Sequence, residues 1–309
     1  MPTSAKDNLL KRIQSVDNAA QLESLIDKDV MQEQHNTTAN LLRKGLGIVA
    51  FNILEDFIKS RTIEMFDFIN SARVRFEQLP EPFKMAATSG ALKGLIYQAG
   101  LEKKNNGDWI ALIHSEAKSI FSTSQFPYTL SRVSLLSDSS NIGHEDIPEV
   151  MRCLDIPGGW QTLQKISNDI GGGTLDLNAA YKNMFADRNK CAHEAGFNYP
   201  YTSLETSLND IVTIASAFDI AITSRCRYIE KQPNLPLSSH KGKAPFTYRF
   251  LMTDGDNYRE KKSLESSART IKIWRNFSDA QANLIPKLRS KDECLIFIGR
   301  QRRLSDWYF

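Results

Sequence analysis

The chain has 309 residues, 41% of them hydrophobic and 24% charged, which excludes disorder along its whole length and suits one or two globular domains. The longest apolar stretches, 46–54 and 211–222, fall short of the roughly 20 residues of a membrane span, and Asn52 and Asp219 interrupt them, so no bilayer crossing and no membrane partner is expected. The formal net charge of +3 is uneven: residues 237–309 carry 15 Lys and Arg against 8 Asp and Glu, a local net of +7 on a body of −4.

The N-terminal Met1-Pro2-Thr3-Ser4-Ala5-Lys6-Asp7 runs directly into a charged amphipathic pattern with no apolar signal core, which predicts a cytoplasmic protein. Leu9, Leu10, Ile13, Val16, Leu22, Leu25 and Ile26 recur at three- and four-residue spacing, as one helix face requires. A long helix is predicted over about 29–61, with Leu41, Leu42, Gly45, Ile48, Val49, Asn52 and Ile53 on its pattern. Ile63, Phe66, Ile69 and Phe76 predict a further helix, ended by Pro80 and Pro82.

Two more helices are expected over 84–103 and 108–121, divided by the turn Asn105-Asn106-Gly107, and an irregular stretch follows from 122 to 144. Short helices over 147–154 and 160–170 come next, the second stopped by Gly171-Gly172-Gly173. Residues 178–191 read as helix again. Thr202 and Glu205 have the T-x-x-E spacing of a capping box ahead of Leu208, Ile211, Val212, Ile214, Ala215, Phe218 and Ile222, which predicts a long helix to about residue 230.

Pro233, Pro236 and Ser238-Ser239-His240-Lys241-Gly242-Lys243 predict a linker, after which the period changes. Residues 246–252 alternate as a strand does and end at the turn-forming Asp254-Gly255-Asp256-Asn257. Residues 270–274 and 294–298 are further strand candidates, with a helix over 279–288 between them, and the apolar Trp307-Tyr308-Phe309 is expected to pack. The expected organisation is therefore mainly α: an all-helical domain over 1–235 and a small basic α+β module over 236–309.

Cys153, Cys191, Cys226 and Cys294 are far apart, with neither C-x-x-C spacing nor histidines placed to complete a zinc site. They fit buried thiols in a reducing compartment, and no metal or cofactor is expected.

Among the histidines, His193 keeps chemically suggestive company in Arg188-Asn189-Lys190-Cys191-Ala192-His193. Imidazole titrates at about 6.5 and suits removal of a 2′-hydroxyl proton at neutral pH. A guanidinium fork matches the oxygens of a phosphate gaining charge, and an amide such as that of Asn189 can orient either partner. Arg188 and His193 lie five residues apart, about 140° round an ideal helix, so they converge only if the helix ends or bulges there. Polar residues at a helix end also serve simply as caps.

The same string resembles the R-x4-6-H motif of the HEPN superfamily, including its frequent polar residue after the arginine, and it lies on the penultimate long helix of an all-α domain. The stretch 45–58, with Glu55 embedded in apolar residues, is similar to the early helix of several toxin-type members. The resemblance covers about residues 5–235. It implies a HEPN-like helical bundle that dimerises, and a metal-independent ribonuclease that cuts RNA by 2′-hydroxyl attack, of the kind found in toxins and abortive phage defence. Arg188, Asn189 and His193 take the motif positions, with Glu55 as an additional carry-over that can also cap or pair within the bundle. It also implies RNA and a second copy of the chain as partners, with an antitoxin or regulatory protein as a further one. The alternative is a non-catalytic scaffold binding a nucleotide or partner protein.

In the C-terminal module, Lys261, Lys262, Arg300, Arg302 and Arg303 lie near Tyr258, Trp274, Trp307 and Tyr308 in sequence, a combination that can hold a nucleic-acid backbone with bases stacked on rings. Core aromatics with basic residues outside them fit the same pattern.

Overall fold

The computed structural model of the chain describes residues 3–72, 74–231 and 246–309, so the predicted linker over 233–243 lies outside the described residues. The fold is mainly α with a small C-terminal α+β part. Helices run in the order α1 (Ser4–Ala20), α2 (Glu33–Ser71), α3 (Glu81–Met85), α4 (Ala91–Lys104), α5 (Trp109–Ser122), α6 (Asp146–Cys153), α7 (Trp160–Ile170), α8 (Leu177–His193) and α9 (Tyr201–Lys231). After them come β1 (Thr247–Asp254), β2 (Asn257–Lys261), β3 (Lys272–Trp274), α10 (Phe277–Lys291), β4 (Glu293–Ile298) and β5 (Leu304–Tyr308). Among the described residues no helix is long and apolar enough to cross a membrane.

Several expectations need correction. The predicted break after residue 61 does not occur: Arg61 and Thr62 are buried inside α2, where Arg61 donates to Thr223 Oγ1 (2.8 Å) and the Thr62 hydroxyl to the Ile58 carbonyl (2.8 Å). Satisfied in this way, polar side chains are compatible with a helix interior. α2 therefore continues to Ser71 and takes in Ile63, Phe66 and Ile69, while Phe76 falls in a separate 3-10 turn. α1 stops at Ala20, and Leu22 and Ile26, expected on its buried face, are exposed.

The capping box does not form, because α9 already begins at Tyr201, which leaves Thr202 inside the helix. The Pro200 carbonyl accepts from the N–H groups of Ser203 (3.1 Å) and Leu204 (3.3 Å), so the proline starts the helix. A π-helical turn, Ala86–Gly90, joins α3 to α4 and has no counterpart in the sequence reading.

The chain divides into two compact units. One holds Ile58–Thr162 and the described residues among 221–245. In it Phe66 packs on Phe83 (ring centroids 5.9 Å), Arg225 Nε donates to the Leu154 carbonyl (2.7 Å), and Trp160 Nε1 donates to that of His144 (2.8 Å).

The other unit holds Met1–Phe57, Leu163–Ile220 and Phe246–Phe309, and it contains both the motif and the C-terminal sheet. α7 ends at the glycine run as expected, with Gly171 and Gly173 at φ +74° and +79°, and the Gly172 carbonyl accepts from Thr213 Oγ1 at 3.1 Å. That run is a helix terminator.

The sheet has strand order β3-β2-β1-β4-β5, with β1 and β4 parallel and the other pairs antiparallel. The Asp254-Gly255-Asp256-Asn257 segment is a hairpin turn, as its composition predicts, with Gly255 at φ +57°. β2 and β5 are not foreseen in the sequence. Residues alternate between two faces: Leu251, Leu295 and Trp274 pack under Ala280, Leu284 and Leu288 of α10, while Phe250, Ile296 and Trp307 are buried on the other side. Arg249 fastens three strands, donating to Glu293 (3.1 and 2.7 Å) and Glu260 (2.6 Å), and Trp274 Nε1 donates to the second oxygen of Glu260 (3.0 Å). The buried Glu260 is thereby paired, as a buried carboxylate requires.

The sheet also connects to helices of its own unit. Trp307 Nε1 donates to Asp219 Oδ2 of α9 (2.7 Å), and Lys6 Nζ of α1 donates to Asp306 Oδ1 (2.8 Å) and the Trp307 carbonyl (2.6 Å). The expected packing of the apolar C-terminus is thus observed.

Candidate functional site

Asp176 precedes α8 and caps it, its side chain accepting from the Ala179 N–H at 3.0 Å. Its inward aromatics meet α2, with the Phe51 ring 5.5 Å from Tyr181 and 5.9 Å from Phe185. That packing fixes which side of α8 is buried and so decides where the motif's side chains emerge.

Arg188 lies one turn beyond the buried Met184 and is half-buried, at the edge of this packed face. Its guanidinium donates to Asn189 Oδ1 at 3.1 Å. It also lines a small cavity with Gly47, Phe51, Cys191, Tyr199 and Ser207. The enclosed space is about 10 Å³, room for about one water. A phosphate would therefore meet Arg188 from the surface.

His193 is the last residue of α8 and is exposed. The helix stays regular up to it, with the Glu194 N–H bonded back to the Lys190 carbonyl at 2.8 Å. Over five helical residues Arg188 and His193 leave the axis about 140° apart. Arg188 and Asn189 are brought together; His193 stands on another side of the same helix end. Glu55 is buried on α2, four residues beyond Phe51 and so on the face that α2 turns towards α8.

The backbone after His193 is held by three residues of α2 at helical spacing. Asn40 donates to the Phe197 carbonyl (3.1 Å) and accepts from the Tyr199 N–H (2.8 Å). Arg43 Nε donates to the Tyr199 carbonyl (2.8 Å). Lys44 Nζ donates to the carbonyls of Glu194 (2.6 Å) and Ala195 (3.3 Å), a cation at the negative end of α8. Gly47 completes the contact, since a Cβ there would lie 2.8 Å from Tyr199 Cε1. Nothing in the sequence assigned this clamp. The signal available was three polar residues at i, i+3 and i+4 just ahead of the largely apolar stretch 45–54.

Two groups that line the small cavity, the Tyr199 phenol and the Cys191 thiol, are held neutral near neutral pH. Burial pushes the Tyr199 phenol up to about 12 and the Cys191 thiol up to about 11, and burial likewise raises the Asp187 carboxyl. Cys191 is therefore a thiol rather than a nucleophilic thiolate near neutral pH.

In the C-terminal module, Lys261, Arg300 and Arg302 gather round one cavity at the carboxyl ends of β1 and β4, whereas Lys262 and Arg303 are exposed and do not line it. Trp274 and Trp307 are buried. Tyr258 packs between Phe277 and Phe297, and the Tyr308 hydroxyl bonds with Gln281 and Asp306. Trp274, Tyr258 and Tyr308 belong to the core between the sheet and α10, and Trp307 docks on α9.

The sequence model of the RiboL-PSP-HEPN family matches residues 7–224, which takes in α8 and the motif and leaves the C-terminal sheet outside. No curated protein and no solved structure matches the chain. The chain belongs to the RiboL-PSP-HEPN family, and hence to the HEPN superfamily.

Proposed function

We propose that this RiboL-PSP-HEPN chain is a metal-independent endoribonuclease that acts as a toxin or anti-phage effector in the cytoplasm. The observation that carries the reading is the setting of the motif: a helix packed firmly on its inner face presents Arg188 with Asn189 at its edge and His193, exposed, at its end. In the reaction, His193 takes the proton of an RNA 2′-hydroxyl, and the 2′-oxygen attacks the adjacent phosphorus. The bond to the 5′-oxygen breaks, giving a 2′,3′-cyclic phosphate and a 5′-hydroxyl. Arg188 neutralises the charge that builds on the phosphate oxygens, with Asn189 holding the guanidinium.

The departing 5′-oxygen needs a proton, and one chain offers one such imidazole. A second copy related by a two-fold axis beside α8 would supply the other from the same residue. It would also relate each Arg188 to a His193 that its own helix directs elsewhere. An antitoxin or regulatory protein would hold such an activity in check.

A second reading is a non-catalytic scaffold that binds a nucleotide or a partner protein. The 140° divergence of Arg188 and His193 on one unbroken helix favours it. The two readings part on Arg188→Ala in a metal-free RNA digestion. For the nuclease, cleavage falls by about 10²–10³-fold, the cost of one lost charge-stabilising donor, while the melting temperature holds. For the scaffold, the wild type cuts nothing and the substitution weakens association or stability instead.

A further inference from the structure

β1 and β4 are adjacent and parallel, and their carboxyl ends open into a cavity of about 580 Å³. That size is typical of small-molecule sites, about 300–1,000 Å³, and crevices off the carboxyl ends of parallel strands are where open sheets commonly take ligands. Met252 and Ile298, partners across the ladder, give it an apolar part. Lys261 comes from β2, and Arg300 and Arg302 from the turn between β4 and β5. Arg259 also lines it but is committed to Asp254, with Nε to Oδ2 at 2.6 Å. Among the described residues, no ion pair engages Lys261, Arg300 or Arg302.

The turn carrying the two arginines is strained. Gln301 and Arg302 are consecutive non-glycine residues at φ +59° and +57°, each costing roughly 1–2 kcal/mol relative to right-handed backbone. A connection with no task beyond joining β4 to β5 would shed that cost with glycine. Strain of this kind collects at ligand clamps.

We propose that this cavity binds a nucleoside phosphate, either a free nucleotide or the 5′-terminal nucleotide of an RNA. The base lies against Met252 and Ile298, Lys261, Arg300 and Arg302 neutralise the phosphate, and Asp256 accepts from the ribose hydroxyls. The free-nucleotide form stands apart from the ribonuclease reading. The RNA-end form rests on that reading.

The test uses the full chain carrying His193→Ala, so that RNA probes survive whether or not the chain is a nuclease. Calorimetric titrations with ATP, AMP and an oligouridylate with or without a 5′-phosphate are compared with those of the same chain also carrying Arg300→Ala and Arg302→Gly. Glycine is chosen because it tolerates the φ of position 302. Circular dichroism establishes that the variant is folded, and Lys261→Gln provides a second, milder variant. The expected result is saturable binding of a nucleotide or of the 5′-phosphorylated oligomer, weakened at least about tenfold in the arginine variant. Selective nucleotide binding identifies the first source, and preference for the 5′-phosphate over the 5′-hydroxyl oligomer the second. Three results would overturn the proposal: no saturation with any probe, affinity unchanged in the folded arginine and Lys261 variants, or equal binding of the two oligomers without nucleotide binding.

Discussion

Lys44 Nζ lies 2.6 Å from the carbonyl oxygen of Glu194, so an ammonium group from α2 closes the end of α8 one residue beyond His193. Lys44 is buried at 7% exposure and also reaches Ala195. It therefore meets the carbonyls at the cap of α8 and one residue beyond it, and it opposes the helix dipole.

Lys44→Met should leave those carbonyls without the ammonium and cost about 1–3 kcal/mol in urea unfolding. Cleavage should fall as well, at temperatures where the variant is still folded, because the backbone that carries His193 loosens. Unchanged stability would mean that the clamp does not hold the helix end.

The docking of the C-terminal strand makes a second prediction. Trp307 is fully buried, and its indole N–H donates to the equally buried Asp219. Trp307→Ala should destabilise the chain by about 3–5 kcal/mol. Trp307→Phe, which keeps most of the apolar contact but removes the indole donor to Asp219, should cost about 1–3 kcal/mol. Denaturant unfolding followed by circular dichroism measures both, and loss of the terminal segment without a change in helix stability would contradict the contact.

Much of this architecture is legible in the sequence, and the exceptions have identifiable causes. α8 and the glycine stop after α7 follow from local signals, which govern wherever a segment's own pattern decides its state. The helix does not break after Arg61 as expected because Arg61, which looks solvated in sequence, is buried against Thr223 far along the chain. β2 was missed because Glu260 reads as surface until Arg249 and Trp274 are seen to satisfy it. The Arg188–His193 string stands out in the sequence because it is contiguous. The clamp of Asn40, Arg43 and Lys44 does not, since its partners are backbone carbonyls about 150 residues away.

The phenol of Tyr199 gives a pH prediction. Its pKa in the folded chain is about 12, against about 10 in an unfolded chain. The folded state thus holds its proton longer. The contribution is fully present below about pH 10 and declines as pH rises towards 12, by an amount on the order of 2–3 kcal/mol. Tyr199→Phe should flatten the part of the alkaline stability loss that this residue causes, and matched wild-type and variant unfolding curves between pH 8 and about 11 would show it. Parallel curves would mean that the phenol is not held neutral by the fold.

Metal-free RNA cleavage by His193 is tested most directly by digesting a mixed RNA pool with the purified chain in EDTA, wild type beside His193→Ala, and analysing the product ends. The expected result is chelator-resistant cutting that leaves 2′,3′-cyclic phosphates and 5′-hydroxyls and disappears in the variant. Cutting that persists in His193→Ala, or RNA left intact by the wild-type chain, would contradict it.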